Sequence, residues 1–131
     1  MEITDNNETT NALFVYGTLK PGKFRFSVLE PYIDKENIGE ASVRGILYDS
    51  GSDWPAAVFS DDITETVNGF VVYIDKSKLN EALSYLDEAE GVNSGLFCRA
   101  LVTTNSKIKC WAYEYMKSVE GFRRIQSWEK Y

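Results

Sequence analysis

The chain has 131 residues, of which 44% are hydrophobic and 14% aromatic, a composition typical of one globular domain with its own core. It carries 14 basic and 20 acidic side chains, and this net charge of −6, without any basic run, argues against nucleic acid or an anionic membrane as a partner. No apolar segment approaches the roughly 20 residues of a membrane span, and the polar start MEITDNNETT does not resemble a signal peptide. We therefore expect a cytoplasmic location.

The sequence contains no histidine, which removes the histidine-dependent catalytic triads and the commonest ligand of transition metals. The two cysteines, Cys98 and Cys110, are too few for a disulfide scaffold or for a zinc site of their own. We expect them to be packing residues that form no disulfide, and we predict no metal site. If the protein transfers protons near neutral pH, the expected group is then a carboxylate whose pKa is shifted by its surroundings.

Residues 1–11 are polar, and we expect them to form a flexible tail before a single domain that covers residues 12–131. The apolar run ALFVY that follows predicts a short buried strand. The next loop, YGTLKPG, contains Gly17 and Gly22 and is either an ordinary turn or a stretch of backbone opened towards a ligand. It lacks the spacing of a phosphate-binding loop. A helical turn that ends at Pro31 is predicted after it.

Runs of β-branched and aromatic residues predict three further strands, in GEASVRGILYD, PAAVFS and ETVNGFVVYI. The clearest helix covers residues 75–91, where Asp75 or Ser77 can cap the start and Gly91 can end it. Two more strands, LFCRALVTT and KIKCWAYEYM, are joined by a turn at residues 105–106. Many strands and one good helix, without regular β–α alternation, indicate an α+β or barrel-like domain.

The predicted helix places a carboxylate in an unusual position. Its apolar stripe runs through Leu79, Leu83 and Leu86, and the next position of the stripe is Glu90. One interpretation is that the helix end frays and the charge reaches solvent, because charged side chains are rarely buried unpaired. The other is a carboxylate at the edge of a pocket, where desolvation raises its pKa so that it can take up and return a proton. Arg99, on the next strand, is either a surface charge or the partner of a carboxylate.

Taken in chain order, these segments resemble the gamma-glutamylcyclotransferase-like family, which includes the gamma-glutamylamine cyclotransferases and the AIG2-like proteins. FVYGTLKPG is similar to the family's strand and Y-G-T-L loop, RGILYDSGSDWPAAV to its G-x-L-Y and P-A segment, and VNGFVVYI to its V-x-G-x-V-Y strand. LDEAEG followed by LFCRALV is similar to L-D-x-x-E-G and then aromatic-x-R-x-x-V. The chain departs from the family at Phe97, where tyrosine is frequent, and before Trp128, where a glycine-aspartate pair is missing.

The resemblance implies a fold and an activity. The fold is a small mixed β-barrel with flanking helices. The activity is that of a cyclotransferase that acts on a gamma-glutamyl amine or peptide, releases 5-oxoproline and a free amine, and needs no cofactor. It also implies that Glu90 is the general acid/base and that the Y-G-T-L loop lines the substrate pocket. The substrate-binding candidates are therefore the four loop residues Tyr16, Gly17, Thr18 and Leu19. Arg99 is a further candidate, because the α-carboxylate of such a substrate needs donors that backbone N–H groups or Arg99 could supply.

Two other interpretations remain open from the sequence. The first is a non-catalytic module of the same fold that binds a gamma-glutamyl compound or another acidic small molecule, because a fold does not determine a function. The second is a structural or partner-binding domain whose aromatic residues form an interface. Release of 5-oxoproline from gamma-glutamyl compounds would separate the enzyme from both alternatives.

Overall fold

In the computed structural model, which describes residues 10–23 and 25–130, seven strands form one mixed sheet. The strands are β1 (Ala12–Val15), β2 (Gly39–Asp49), β3 (Pro55–Phe59), β4 (Thr66–Tyr73), β5 (Phe97–Thr103), β6 (Lys109–Tyr115) and β7 (Arg123–Ile125). Their order across the sheet is β3-β2-β4-β1-β6-β5, and β7 pairs with β2. β1 and β6 run parallel, and the other paired strands run antiparallel.

The long strand β2 bends the sheet towards closure. Its first half, Gly39–Arg44, pairs with β4, and its second half pairs with β3 on one side and β7 on the other. β3 is thereby brought next to β6, where the N–H of Phe59 donates to the Glu114 carboxylate at 2.9 Å. The sheet is nearly closed into a barrel, so the expected mixed barrel with flanking helices is confirmed.

Two α-helices flank the sheet. α1 (Phe26–Leu29) is a single turn that continues into a 3-10 turn, Glu30–Tyr32. The α-helical turn ends just before Pro31, as predicted, but the chain continues through Pro31 as a 3-10 turn, because proline is tolerated in the first turn of a helix. α2 (Leu79–Ala89) follows a 3-10 turn at Lys76–Lys78.

The C-terminal end and the apolar face of α2 match the prediction, whereas the α-helix itself begins at Leu79, four residues later than predicted. The carboxylate of Asp75 accepts a hydrogen bond from the N–H of Ser77 at 3.0 Å and caps the 3-10 turn that precedes α2. At the other end Gly91 has φ 73° and ψ 32°, the left-handed conformation that favours glycine. Leu83 and Leu86 are buried against the sheet, so the residue that follows the stripe is directed inward as well.

β1 is a central strand of the sheet, and the YGTLKPG loop follows directly from its end. Leu13 and Val15 pack in the core between the sheet and α2, whereas Ala12 and Phe14 pack on the opposite face. Both faces of β1 are thus buried, and the YGTLKPG loop begins in the interior of the molecule.

Most of the predicted flexible tail, residues 1–11, lies outside the described residues. The Asn11 side chain donates to the carbonyl of Ile74 at 2.8 Å. The domain boundaries at residues 12 and 131 stay a prediction. Cys98 and Cys110 are free thiols. Within the described part of the chain, no helix combines the length and the apolar character needed to cross a membrane.

One motif glycine is explained by a close backbone contact. A Cβ atom added at Gly69 in β4 would lie 2.3 Å from the carbonyl oxygen of Val15 and 3.0 Å from the Phe14 ring. Both neighbours belong to β1, so a larger residue would push apart the two central strands just before the loop begins.

We predict that Gly69→Ala lowers the free energy of unfolding by about 1–3 kcal/mol, the usual cost of overpacking a core. Gly39→Ala is the matched control, because an added Cβ at the exposed start of β2 meets no described atom within 4 Å. Urea unfolding of both variants would measure the effect. Equal stability of the two variants would contradict the close contact at Gly69.

Candidate active site

A cavity of about 200 Å³ opens between the loop after β1, the end of α2 and strand β6. This volume is below the roughly 300–1,000 Å³ of most ligand pockets, which favours a ligand about the size of one amino acid. The four loop residues and two charged side chains contribute to its lining: Tyr16, Gly17, Thr18, Leu19, Arg25 and Glu90. The cavity therefore brings together Glu90 and the predicted loop.

The loop presents unpaired backbone donors. A turn is closed by the N–H of Lys20, which donates to the carbonyl of Gly17 at 3.0 Å, and the N–H of Arg25 donates to the carbonyl of Thr18 at 3.0 Å. Over residues 10–23 and 25–130, the N–H groups of Thr18 and Leu19 have no hydrogen-bond acceptor. A ligand oxygen in the cavity can satisfy such amides, because buried N–H groups are rarely left unpaired.

Position 17 requires a glycine because Pro55 lies too close to leave room for a side chain. A Cβ atom added at Gly17 would lie 2.9 Å from the ring of Pro55, the first residue of β3. The glycine of the first motif and the proline of the later P-A segment are therefore in contact. This contact keeps the loop backbone, instead of a side chain, at the cavity surface.

Tyr16 contributes its ring to the cavity but not a free hydroxyl. Its hydroxyl donates to the carbonyl of Tyr113 in β6 and so links the loop to the neighbouring strand. Burial, together with the negative charge of Glu90, raises the pKa of Tyr16 well above its usual value. The phenol is thus protonated at neutral pH and has a structural role.

Glu90 is placed by the end of α2. It follows the last helical residue, and its N–H donates to the carbonyl of Leu86 at 2.8 Å. Its side chain is 13% exposed, and Oε2 lies 3.0 Å from Nη2 of Arg25, which is 27% exposed. Apart from this ion pair, Oε2 accepts no hydrogen bond from the described residues.

Burial and the ion pair shift the pKa of Glu90 in opposite directions. Burial penalises the charged carboxylate and raises the pKa, whereas the Arg25 guanidinium lowers it. Burial has the larger effect, so the pKa of Glu90 lies above its ordinary value. A carboxyl group of this kind can exchange a proton closer to neutral pH than an exposed glutamate can.

The structure does not bring Arg99 to the cavity. Its Nε lies 2.9 Å from Oδ1 of Asp87 in α2, and its guanidinium carbon is 4.5 Å from the ring centroid of Trp111. The same Asp87 oxygen accepts a hydrogen bond from the hydroxyl of Tyr113 at 2.7 Å. Arg99 is therefore a neighbour of the cavity and not part of its lining: it pairs opposite the lining residue Tyr113 in the sheet and shares Asp87 with it.

Aromatic side chains form the wall towards solvent. Trp54, in the loop before β3, packs edge-on against Phe97, with 5.8 Å between the ring centroids, and also contacts Tyr115. Trp54 and Phe97 both line the cavity, and the exposed carboxylate of Asp53 lies beside them. The cavity lining thus combines aromatic rings with three charged residues, Arg25, Asp53 and Glu90.

Arg25 is the site residue that the sequence analysis missed. It is the cation next to Glu90, and its backbone is held to the loop by the carbonyl of Thr18. The expectation of an inward-facing Glu90 does call for a nearby cation, because a buried charge needs a partner. With 14 lysines and arginines in the chain, however, the sequence has no local pattern that selects Arg25.

Structures of similar fold are known. An AIG2-like protein from Mus musculus is 17% identical with a TM-score of 0.69, and the match covers 92% of this chain and 88% of that one. The protein ytfP from Escherichia coli is 30% identical over 88% of this chain and 92% of its own, with a TM-score of 0.59. A structure described as a gamma-glutamyl cyclotransferase is 19% identical, covers 88% and 69% of the two chains and has a TM-score of 0.51.

A search of curated proteins finds no significant match. The sequence profile of a known family, in contrast, matches residues 13–130, which is nearly the whole chain and includes both the YGTLKPG loop and Glu90. The chain therefore belongs to the family described as gamma-glutamyl cyclotransferase, AIG2-like.

Proposed function

We propose that this protein is a cyclotransferase that converts a gamma-glutamyl amine or peptide into 5-oxoproline and a free amine. The observation that carries the proposal is the shared cavity: a buried carboxylate of raised pKa and a loop whose amides at Thr18 and Leu19 have no acceptor among the described residues line the same small space. Family membership supports the reaction class. Glu90 is the general acid/base, and the loop residues bind the substrate.

The reaction needs one group that takes and returns a proton. The carboxylate of Glu90 removes a proton from the substrate's α-ammonium group, and the freed α-nitrogen attacks the side-chain carbonyl carbon of the same glutamyl unit. The new C–N bond closes a five-membered ring. Protonated Glu90 then donates its proton to the leaving nitrogen, the original C–N bond breaks, and the amine departs. The ring nitrogen loses its second proton to the Glu90 carboxylate, which passes it to the released amine, so the products are 5-oxoproline and an ammonium ion. The nucleophile and the electrophile belong to one molecule, so much of the entropic cost is already met in the substrate.

Negative charge develops on the carbonyl oxygen during ring closure. The amides of Thr18 and Leu19, which lack acceptors among the described residues, are suitable donors for this oxygen. The Gly17–Pro55 contact supports this role, because it holds the backbone at the cavity surface. Each step uses groups of the chain itself, so the proposed reaction requires no cofactor, and a cytoplasmic location remains our expectation.

We expect Glu90→Gln to lower kcat by about 100- to 10,000-fold, the usual contribution of one general acid/base. The amide has almost the same size but cannot carry the proton. The variant should unfold at a temperature no lower than that of the wild type, because it removes the desolvation penalty that raises the pKa of Glu90.

Glu88→Gln is the matched control for this variant. Glu88 lies on the exposed side of the same helix end and does not line the cavity, so its activity should equal that of the wild type. Near wild-type turnover in folded Glu90→Gln would reject Glu90 as the acid/base.

The linkage of the substrate provides a second test. Gamma-glutamyl compounds with different amines should release 5-oxoproline and amine in equal amounts, whereas the matching α-linked compounds should not react. In an α-linked compound the amine cannot close a five-membered ring onto the scissile carbonyl. Cleavage of both linkages, or amine release without 5-oxoproline, would indicate a hydrolase. No turnover across a gamma-glutamyl panel, with retained binding, would indicate the non-catalytic binding module.

A further inference from the structure

The cavity contains an ion pair whose cation has no role in the reaction described so far. Among the described residues that line the cavity, Arg25 is the one basic residue, while Glu90 and Asp53 are acidic. Arg25 lies 3.0 Å from Glu90 and retains 27% of its side-chain exposure, so part of the guanidinium faces the open cavity. A guanidinium has five N–H donors, more than one carboxylate oxygen can use.

The backbone of Arg25 is fixed relative to the binding loop. Its N–H donates to the carbonyl of Thr18, and its own carbonyl accepts a hydrogen bond from the N–H of Val28 at 3.0 Å. Arg25 is thus the N-cap residue that precedes α1, and it remains attached to the loop that lines the cavity. The guanidinium is therefore presented to the same space as the amides of Thr18 and Leu19.

The free end of a gamma-glutamyl group is a zwitterion with an α-ammonium and an α-carboxylate on one carbon. If the ammonium approaches Glu90, as the proposed function requires, the carboxylate attached to the same carbon enters the same half-buried space. The amides of Thr18 and Leu19 are assigned to the carbonyl oxygen in the proposed reaction, so a carboxylate transferred to this space needs a further donor or cation to offset its lost hydration. Arg99 cannot compensate it, because it is bound to Asp87 outside the cavity.

Resting on the proposed function, we infer that Arg25 is the residue that recognises the α-carboxylate of the substrate. On binding, the guanidinium exchanges part of its contact with Glu90 for the ligand carboxylate, while Glu90 receives the ligand's ammonium group. The Arg25–Glu90 ion pair is thereby replaced by two ion pairs, one between Arg25 and the ligand's carboxylate and one between Glu90 and the ligand's ammonium group. Arg25 is a specificity-determining residue: it selects substrates whose α-carboxylate is free.

The exchange also couples recognition to proton transfer. Arg25 is the group that lowers the pKa of Glu90, against the larger effect of burial. The other titratable side chains lining the cavity are Tyr16, Asp53 and Tyr113. When a ligand carboxylate neutralises Arg25, this lowering is weakened, and the α-ammonium becomes the neighbouring cation of Glu90 and its proton source. A ligand without the carboxylate does not produce this change.

The test compares a gamma-glutamylmethylamide that has a free α-carboxylate with its α-carboxamide counterpart. The preference for the carboxylate is the ratio of the two kcat/KM values within one variant, measured on the pH plateau of that variant. Because the preference is a ratio, a change in the basicity of Glu90 that affects both substrates equally cancels out. We expect Arg25→Gln to reduce the wild-type preference by roughly 10- to 100-fold, the loss of a hydrogen-bonded charge pair.

Two further variants complete the comparison. Arg25→Lys keeps the charge but not the planar fork, so its preference should lie between those of the wild type and Arg25→Gln. Arg124→Gln removes an exposed arginine that pairs with Glu65 far from the lining residues, and its preference should equal that of the wild type. A preference that is unchanged in both Arg25 variants overturns the inference, as does an equal loss of kcat/KM on both substrates.

Binding of the product separates this inference from the proposed function, because it needs no turnover. Calorimetric titration should show that the wild type binds 5-oxoproline more tightly than 5-oxoprolinamide and that Arg25→Gln binds both equally weakly. This result in a protein without turnover would support the carboxylate site and reject the cyclotransferase. Turnover with an unchanged preference in the Arg25 variants would support the cyclotransferase and reject the carboxylate site.

Discussion

The arrangement of this cavity depends on one constraint, the burial of a carboxylate at the end of a helix. Glu90 is directed inward by the apolar stripe of α2, and burial disfavours its charged form. Arg25, which is distant in sequence, supplies the opposite charge from the start of α1. The pair therefore connects the end of α2 to the loop after β1, and the space between them is the cavity. Without the cation, the same burial would favour a neutral Glu90 still more strongly.

Backbone contacts maintain the opposite wall. β1 is buried on both faces, so the loop that follows it starts from a rigid position. Gly69 allows β4 to approach β1, and Gly17 allows the loop to approach Pro55. Both glycines belong to the motifs that carry the family resemblance, and both are explained by the absence of space for a Cβ atom. The loop amides thus remain available to a ligand because larger residues are excluded nearby.

The parts that could be predicted from sequence are those determined by local physics. The 3.6-residue period locates α2, Gly91 locates its C-terminal end, and the stripe correctly directs Glu90 inward. Runs of β-branched and aromatic residues locate six of the strands, and the motifs in order identify the family. The short β7 was not predicted, because its three residues, Arg123–Ile125, carry no strand pattern and pair only through the position of β2.

The remaining features depend on contacts between segments that are far apart in the chain. The parallel pairing of β1 and β6 has no local signal, although it places Tyr113 at the cavity. Arg99 was a candidate for the substrate because it could be the partner of a carboxylate, but in the folded chain it forms an ion pair with Asp87 of α2. Arg25 takes the position beside Glu90 because its own N–H turns the chain back onto Thr18. Which of several similar side chains becomes the partner of a given carboxylate is therefore determined by tertiary contacts and not by a local sequence pattern.

The central claim is that Glu90 is a buried carboxyl group with a raised pKa, and carboxyl-carbon NMR titration measures this property directly. Glu90→Gln assigns the signal, because that resonance alone disappears from the spectrum. In the free protein, Glu90 should titrate clearly above the ordinary glutamate pKa of about 4.3. A pKa at or below that value would mean that the Arg25 ion pair outweighs burial. It would also contradict the assignment of Glu90 as a proton carrier near neutral pH.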